Sequence, residues 1–275
     1  MRIIAIANQK GGCGKTTTSV NLAAAFAEKG KRTLIIDLDP QGHATLGLGH
    51  NPDVLDKTIY HALTGAQIPI SRVILDTDIN GLDLVPANIL LSGAEVELAD
   101  VPGKELVFSE QLGTISNQYD ICVIDCQPSV GLLTLNALVA STDVVVPVQV
   151  NYYAMESLKQ LFETANIIKT HFYPCTVNII GLLLTFVEDR IIFSRQIQKQ
   201  MREFFGGLVF DTVIHRNVRL VEATSAGQSI LDYAPESRGA VEYRALADEI
   251  ICGKALAGEI NAGEVLVEEI DNVRL

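Results

Sequence analysis

The sequence predicts an α/β fold: a single domain on a mainly parallel, twisted sheet of about seven or eight strands, with helices on both faces. Three observations predict it. Apolar, β-branched runs alternate with helix-period stretches along the chain. Several runs are apolar without interruption, as in Ile121-Cys122-Val123-Ile124, which is the pattern of strands covered on both faces. The first run passes through a glycine-rich turn straight into an amphipathic stretch, the strand–loop–helix unit of such sheets. The 275 residues suffice for one large domain with a full core.

Ile3–Ala7 is the first expected strand and Lys15–Glu28 the first helix. Between them runs Lys10-Gly11-Gly12-Cys13-Gly14-Lys15-Thr16-Thr17. Glycines there let backbone N–H groups turn inward around phosphates, and the helix N-terminus adds attraction. Lys15 can reach the outer phosphates, and the Thr16 hydroxyl can join a Mg²⁺ shell. The ordinary spacing would place a glycine at Gln9; a second lysine, Lys10, stands in the loop instead. Cys13 lies at a helix N-terminus, where a thiol can be activated, although a small side chain filling the loop is the simpler reading.

Thr33–Asp37 is the second strand, continuing into Asp37-Leu38-Asp39-Pro40-Gln41-Gly42. Ligands of open α/β sheets sit at the carboxyl ends of strands. One of Asp37 and Asp39 can therefore position an attacking water while the other supports Mg²⁺ or the loop lysine; as turn residues they need no such role. Residues 41–81, rich in Gly, Pro and Asn, read as a surface excursion holding a helix at Thr58–Leu63. Leu82–Pro86 is a strand, followed by helices Leu90–Ala99 and Glu105–Asn117. Ile121–Asp125 is an apolar strand ending in the carboxylate that completes a phosphate-loop site by holding Mg²⁺.

The later elements are helix Thr134–Ala140, strand Val144–Val148, helix Ala154–Thr170, strand Ile179–Thr185, helix Ser194–Phe204, strand Leu208–Val213 and helix Glu236–Ile250. His215-Arg216-Asn217-Val218-Arg219 follows the last strand, so Asn217 can meet a base edge and the arginines phosphates. The formal net charge is −12, yet residues 190–219 carry six bases (Arg190, Arg195, Lys199, Arg202, Arg216, Arg219) against Glu203 and Asp211. A local reversal of that kind can bind a phosphate backbone although the whole chain is acidic. For Arg195 and Lys199 a solvated helix face is the plainer alternative.

The five cysteines are odd in number and not spaced as a disulfide framework. With no apolar run of membrane length and no secretion signal, a reducing cytoplasm is expected. Residues 1–252 read as the domain and 253–275 as an acidic tail; Glu259 to Leu275 holds five acids and one base. That tail would be repelled by an anionic bilayer, so membrane attachment is not expected.

Taken together, Asn8 to Thr18, Asp37 to Thr45, Ile124 to Leu138, Arg216 to Ala223 and Ser237 to Ala240 resemble the ParA/Soj family of deviant Walker ATPases, within the phosphate-loop NTPase group that includes MinD. The resemblance runs from Arg2 to about Ile251. It implies ATP and Mg²⁺ as cofactors, with Lys10, Gly11, Gly12, Cys13, Gly14, Lys15, Thr16 and Thr17 around the phosphates. Two subunits sandwich two ATP molecules, with Lys10 reaching across to its partner's phosphates. Asp39 matches the position associated with water activation, Thr16 and Asp125 the Mg²⁺ positions, and Arg216 and Asn217 the stretch near adenine. It further implies a weak ATPase whose dimer binds double-stranded DNA without sequence preference on the nucleoid, and a ParB-like partner that stimulates hydrolysis and release. Arg190, Arg195, Lys199 and Arg219 are the candidate DNA contacts. A related ATPase that positions another cargo, or switches a partner such as a replication initiator, is the alternative. This chain departs from the family at Gln127, His215 and Thr224, where prolines are usual. A nitrogenase-like reductase is not expected, because Cys126 adjoins the Mg²⁺ aspartate, a poor place for a cluster.

Overall fold

The computed structural model describes residues 1–64, 68–129, 131–151, 156–172, 175 and 177–253. Its strands are β1 (Arg2–Ile6), β2 (Thr33–Leu38), β3 (Leu75–Asp76), β4 (Leu82–Val85), β5 (Ile121–Cys126), β6 (Asp143–Gln149), β7 (Asn178–Val187) and β8 (Ile214–His215). They form an eight-stranded sheet in the order β3-β4-β2-β5-β1-β6-β7-β8. All neighbours run parallel except the edge pair β3–β4. The expected α/β architecture is therefore the observed one.

The helices are α1 (Lys15–Glu28), α2 (His43–Gly47), α3 (Ile59–Leu63), α4 (Ala94–Leu98), α5 (Val107–Gly113), α6 (Leu132–Ala140), α7 (Glu156–His171), α8 (Ile192–Phe205), α9 (Val218–Ser225), α10 (Ile230–Tyr233) and α11 (Arg238–Ile251). They divide the apolar interior into two cores. On one face, Leu34, Ile36, Cys122 and Ile124 pack with α3, α5, α6 and α7; on the other, Ile4, Ile6, Ile35 and Val123 pack with α1 and α11. Alternate residues of each strand serve opposite cores, which is why the strands read as unbroken apolar runs.

Three expectations need correction. Leu208–Val213 is not a strand: Leu208 closes a short 3₁₀ turn, and Val209 makes only an isolated bridge to Leu182. The ring of Phe210 lies against Gly181, where a Cβ would come within 2.3 Å of it, so this segment packs on the sheet through a side chain. Leu90–Ala99 is a 3₁₀ turn at Ile89–Gly93 followed by the short α4. The excursion at 41–81 also contributes buried groups, among them Ala44, Thr45, Ile59 and Ile70. The expected start of α7 at Ala154 and nearly all of the acidic tail (254–275) lie outside the described residues.

Candidate functional site

The register brings the candidate carboxylates together. β5 lies between β2 and β1, pairing Asp37 with Asp125 and Ile6 with Asp125. The second strand is thus one place removed from the first, and β5 carries Asp125 into the gap. The phosphate loop leaves β1 and enters α1 beside these strand ends. Gly12 and Gly14 take positive φ, 72° and 91°, which favours glycine over a side chain that carries Cβ.

Two hydrogen bonds tie the loop to the sheet and two close it on itself. Asn8 Nδ2 donates to Pro147 O at 2.7 Å, and its Oδ1 accepts from Lys10 N at 3.0 Å. Thr185 Oγ1 donates to Cys13 O at 2.8 Å. Lys15 Nζ donates to Lys10 O at 3.1 Å, so its ammonium folds back into the loop. Lys15 is buried, whereas Gly11 and Gly12 are exposed and Lys10 is half-buried. The loop therefore holds one lysine inside and a second toward its outer side.

Asp125 is fully buried. Its Oδ1 accepts from Ser19 Oγ at 2.9 Å, while Oδ2 is the one buried side-chain oxygen among the described residues with no hydrogen-bond partner. Burial first, then the charge of Asp37, pushes its carboxyl well up, against the opposing effect of the Thr16 and Ser19 hydroxyls beside it. An orphaned carboxylate oxygen of this kind is costly unless a cation or proton meets it. Asp37 is also fully buried and pushed up by desolvation. It anchors structure: Oδ2 accepts from Thr45 N at 2.8 Å and Thr45 Oγ1 at 2.7 Å, and Oδ1 from Asp39 N at 3.2 Å. Asp39 is buried but less deeply, 9% exposed, its Oδ1 accepting from Gln41 N at 2.9 Å. The two aspartates that looked equivalent in sequence are thus separated: Asp37 is spent on three hydrogen bonds, and Asp39 accepts one.

The donor set suits Mg²⁺. The described residues hold no cluster of three His, Cys, Asp or Glu side chains able to enclose a metal. Mg²⁺ instead takes one or two carboxylates and keeps water and phosphate oxygens. Asp125, Thr16 and Asp39 provide that partial set. Cys13 is buried, and burial pushes its thiol up, so the activated-thiol reading does not hold. Cys122 and Cys126 are buried and likewise pushed up by desolvation.

A cavity of about 530 Å³ adjoins the loop, lined by Gly14, Thr17, Phe186, His215, Arg216 and Asn217 among others. Phe186 is the one non-glycine residue with positive φ among those described, at 54°, a strain typical of functional walls. Asn217 lines the cavity and also caps α9, its Oδ1 accepting from Arg219 N at 3.0 Å. Arg216 is exposed and pairs with Glu188 at 3.2 Å. His215, one of the departures from the family, is a buried residue of β8 that meets Glu242 and Asp189.

The departure at Gln127 is taken up by a side-chain link. Gln127 Nε2 donates to Glu95 Oε1 at 3.3 Å, and the same oxygen accepts from Leu133 N, at the start of α6, at 3.2 Å. Thr224 sits on α9, lines the cavity, and donates to Leu220 O at 2.9 Å. Of the basic candidates, Arg190, Arg195, Lys199 and Arg219 are all exposed. Lys199 faces Glu203 at 3.5 Å and Arg219 faces Glu222 at 2.8 Å, so part of the local positive charge is answered within its own helices.

A strand-end aspartate beside a two-lysine phosphate loop, on a parallel sheet, defines the ATPase class. Residues 1–179 match the family described as AAA domain. The chain is 45% identical over 249 residues to the sporulation initiation inhibitor protein Soj of Bacillus subtilis, covering 90% of this chain and 98% of that protein. It is 43% identical to the chromosome partitioning protein ParA of Myxococcus xanthus, covering 91% and 88%. Among solved structures it matches cobyrinic acid a,c-diamide synthase of Mycobacterium smegmatis with bound ADP and magnesium. The TM-score is 0.80 at 35% identity, over 91% of this chain and 94% of that one. The chain belongs to the Soj/ParA family of partitioning ATPases within the AAA-domain proteins.

Proposed function

We propose that this chain is a weak Mg²⁺-dependent ATPase of the partition type. ATP joins two copies into a sandwich, the dimer binds double-stranded DNA without sequence preference on the nucleoid, and a ParB-like partner stimulates hydrolysis and release. The observation that carries the reading is the pair of lysines in one loop. Lys15, held inside by the backbone carbonyl of Lys10, serves the phosphates of its own subunit. Lys10, on the outer side, is available to a second subunit's phosphates, where it would neutralise charge as a trans-acting arginine finger does. ATP then belongs to the dimer interface, and its hydrolysis ends the dimer.

Thr16, Asp125 and Asp39 would hold Mg²⁺, which when bound neutralises charge on the outer phosphate oxygens. Asp39 orients the attacking water, and Asp37 keeps the following turn in place. The base enters the cavity walled by Phe186, Arg216 and Asn217. Arg190, Arg195, Lys199 and Arg219 supply the DNA-facing charge, doubled by dimerisation. No helix among the described residues is long and apolar enough to cross a membrane.

The test is DNA binding by the purified protein with no nucleotide, ADP, or ATP plus Mg²⁺, across a salt series, with sizing of the same samples. ATP alone is expected to yield both a dimer and salt-sensitive binding to unrelated sequences. A dimer that ignores DNA would retain the nucleotide site and reassign the cargo. No ATP-dependent dimer would sink the mechanism.

A further inference from the structure

The wall of the base cavity is fastened by a cluster unrelated to the phosphate chemistry. His215 Nδ1 lies 2.6 Å from Glu242 Oε1, and its Nε2 lies 2.9 Å from Asp189 Oδ2. Its backbone N–H donates to Glu242 Oε2 at 3.0 Å. Arg238 Nη2 comes within 2.6 Å of the same Nε2 and 3.3 Å of Asp189 Oδ2, and Arg238 Nε donates to Glu242 Oε1 at 2.8 Å. Three separate pieces of chain meet here: the segment after β7, the end of β8, and the first turns of α11. The His215 and Glu242 side chains are 10% and 12% exposed, against 58% and 57% for Asp189 and Arg238. The cluster thus has a buried inner half and a solvated outer half.

Two neighbours of His215 nitrogen Nε2 make incompatible demands. Toward Asp189, Nε2 must carry a proton and donate. Toward Arg238, it must be bare and accept. The neutral ring with its proton on Nδ1 serves Glu242 and Arg238 and turns a lone pair toward Asp189. The doubly protonated ring donates to Glu242 and Asp189 and leaves Arg238 to the carboxylates. The charged groups facing the ring are Glu242 and Arg238 from α11 and Asp189 from the segment after β7. Beyond them lie the Glu188–Arg216 pair and the Tyr243 phenol. The first three sum to −1 (two carboxylates, one guanidinium), so a protonated ring makes the cluster neutral. The hydrogen bond from His215 is the largest influence holding the Asp189 carboxyl below its usual range.

We propose that His215 is a positioning residue for nucleotide binding: by fastening β8 to Asp189 and Glu242 it sets the base-cavity wall, and its second proton tightens that wall. His215, Arg216 and Asn217 all line the cavity with Phe186, three residues before Asp189. A proton on Nε2 ties the two walls directly, through Asp189 on one and His215 on the other. Its loss returns Nε2 to Arg238 and leaves Asp189 to Arg238, so the two walls are joined only through that guanidinium. The tightening is present when the ring is doubly protonated and is lost as pH rises. The inference rests on the base-cavity reading above.

The experiment measures affinity for ATP and for inorganic tripolyphosphate at about pH 6 and about pH 8, for the full chain and for His215→Gln. Titration of the ligand's phosphates and of all other side chains is common to both proteins, so it cancels in their affinity ratio. The parent-to-variant ratio for ATP is expected to be higher at the lower pH by about fivefold, the lower end of ordinary coupling between two sites. The ratio for tripolyphosphate, which has no base, is expected to be flat. A pH-independent ATP ratio, or an equal change for tripolyphosphate, would overturn the proposal. Asp189→Asn, at an exposed position, is the second variant should His215→Gln melt early; it must abolish the same pH step. If ATP binds no more tightly than tripolyphosphate to the parent, it is the base-cavity reading that fails.

Discussion

Asp37 and Asp39 stand two residues apart at one strand end, yet three hydrogen bonds bind Asp37 into the fold and one reaches Asp39. Asp37 Oδ2 answers both the backbone and the hydroxyl of Thr45, and Thr45 Oγ1 in turn accepts from Ala87 N at 3.0 Å. Removing that carboxylate strands three buried donors, so Asp37→Ala should lower stability by about 1–3 kcal/mol. Asp39→Ala should leave the melting temperature near the parent's, abolish hydrolysis and prolong the ATP-bound dimer. Thermal melts and single-turnover hydrolysis on the two variants check the contrast. A hydrolysing Asp39→Ala protein would remove the residue from the water-positioning role. Nothing in the spacing distinguishes these aspartates; the difference arises from Thr45, eight residues past Asp37, whose backbone and hydroxyl both donate to Asp37.

At the scale of elements, α9 shows what a short helix costs and supplies. Its eight residues cannot sustain a helix alone. Its start depends on the Asn217 side chain, and its buried Leu220 and Ala223 pack into the α1 core. Loss of such a cap costs about 1 kcal/mol. Asn217→Ala should therefore lower the melting temperature and weaken ATP binding together. Asn217→Asp should restore the cap and the stability, since aspartate caps as well as asparagine. If Asn217→Asp also restores ATP affinity, the amide does not read the base and its role is to start the helix. The same scale explains what was legible in the sequence. α1 was readable at both ends because a glycine-rich turn opens it and apolar periodicity fills it. The Leu208–Val213 run has the composition of a strand, but Gly181 opens a slot that only the Phe210 ring uses, a contact 29 residues away in the chain. α2 and α9 went unread because five and eight residues offer too little periodicity. The Asn217 cap was the one available signal for α9. The His215 cluster was out of reach, since its partners lie 23 to 27 residues away.

At the scale of the whole molecule, the proposed DNA binding requires an acidic protein to meet a polyanion. The net charge of −12 opposes any general attraction to DNA. In the proposed DNA contact the exposed bases of 190–219 act locally, and their surroundings are unequal. Lys199 and Arg219 spend part of their charge on Glu203 and Glu222, while Arg195 stands exposed on the outer face of α8, opposite the buried Ile197 and Met201. Exposed ion pairs are weak and readily exchanged for a phosphate, at the cost of leaving a carboxylate beside the DNA. Arg195→Ala should accordingly weaken binding more than Lys199→Ala. A dimer presents Arg195 twice, so the slope of log affinity against log salt should fall by up to about 1.8, two contacts at about 0.9 each for duplex DNA. Salt titrations of the ATP-bound dimer on two unrelated duplexes measure this. An equal loss on both sequences identifies a backbone contact. An unchanged slope would return α8 to a solvated face and shift the DNA surface toward Arg190, where the chain leaves the nucleotide cavity to enter that helix.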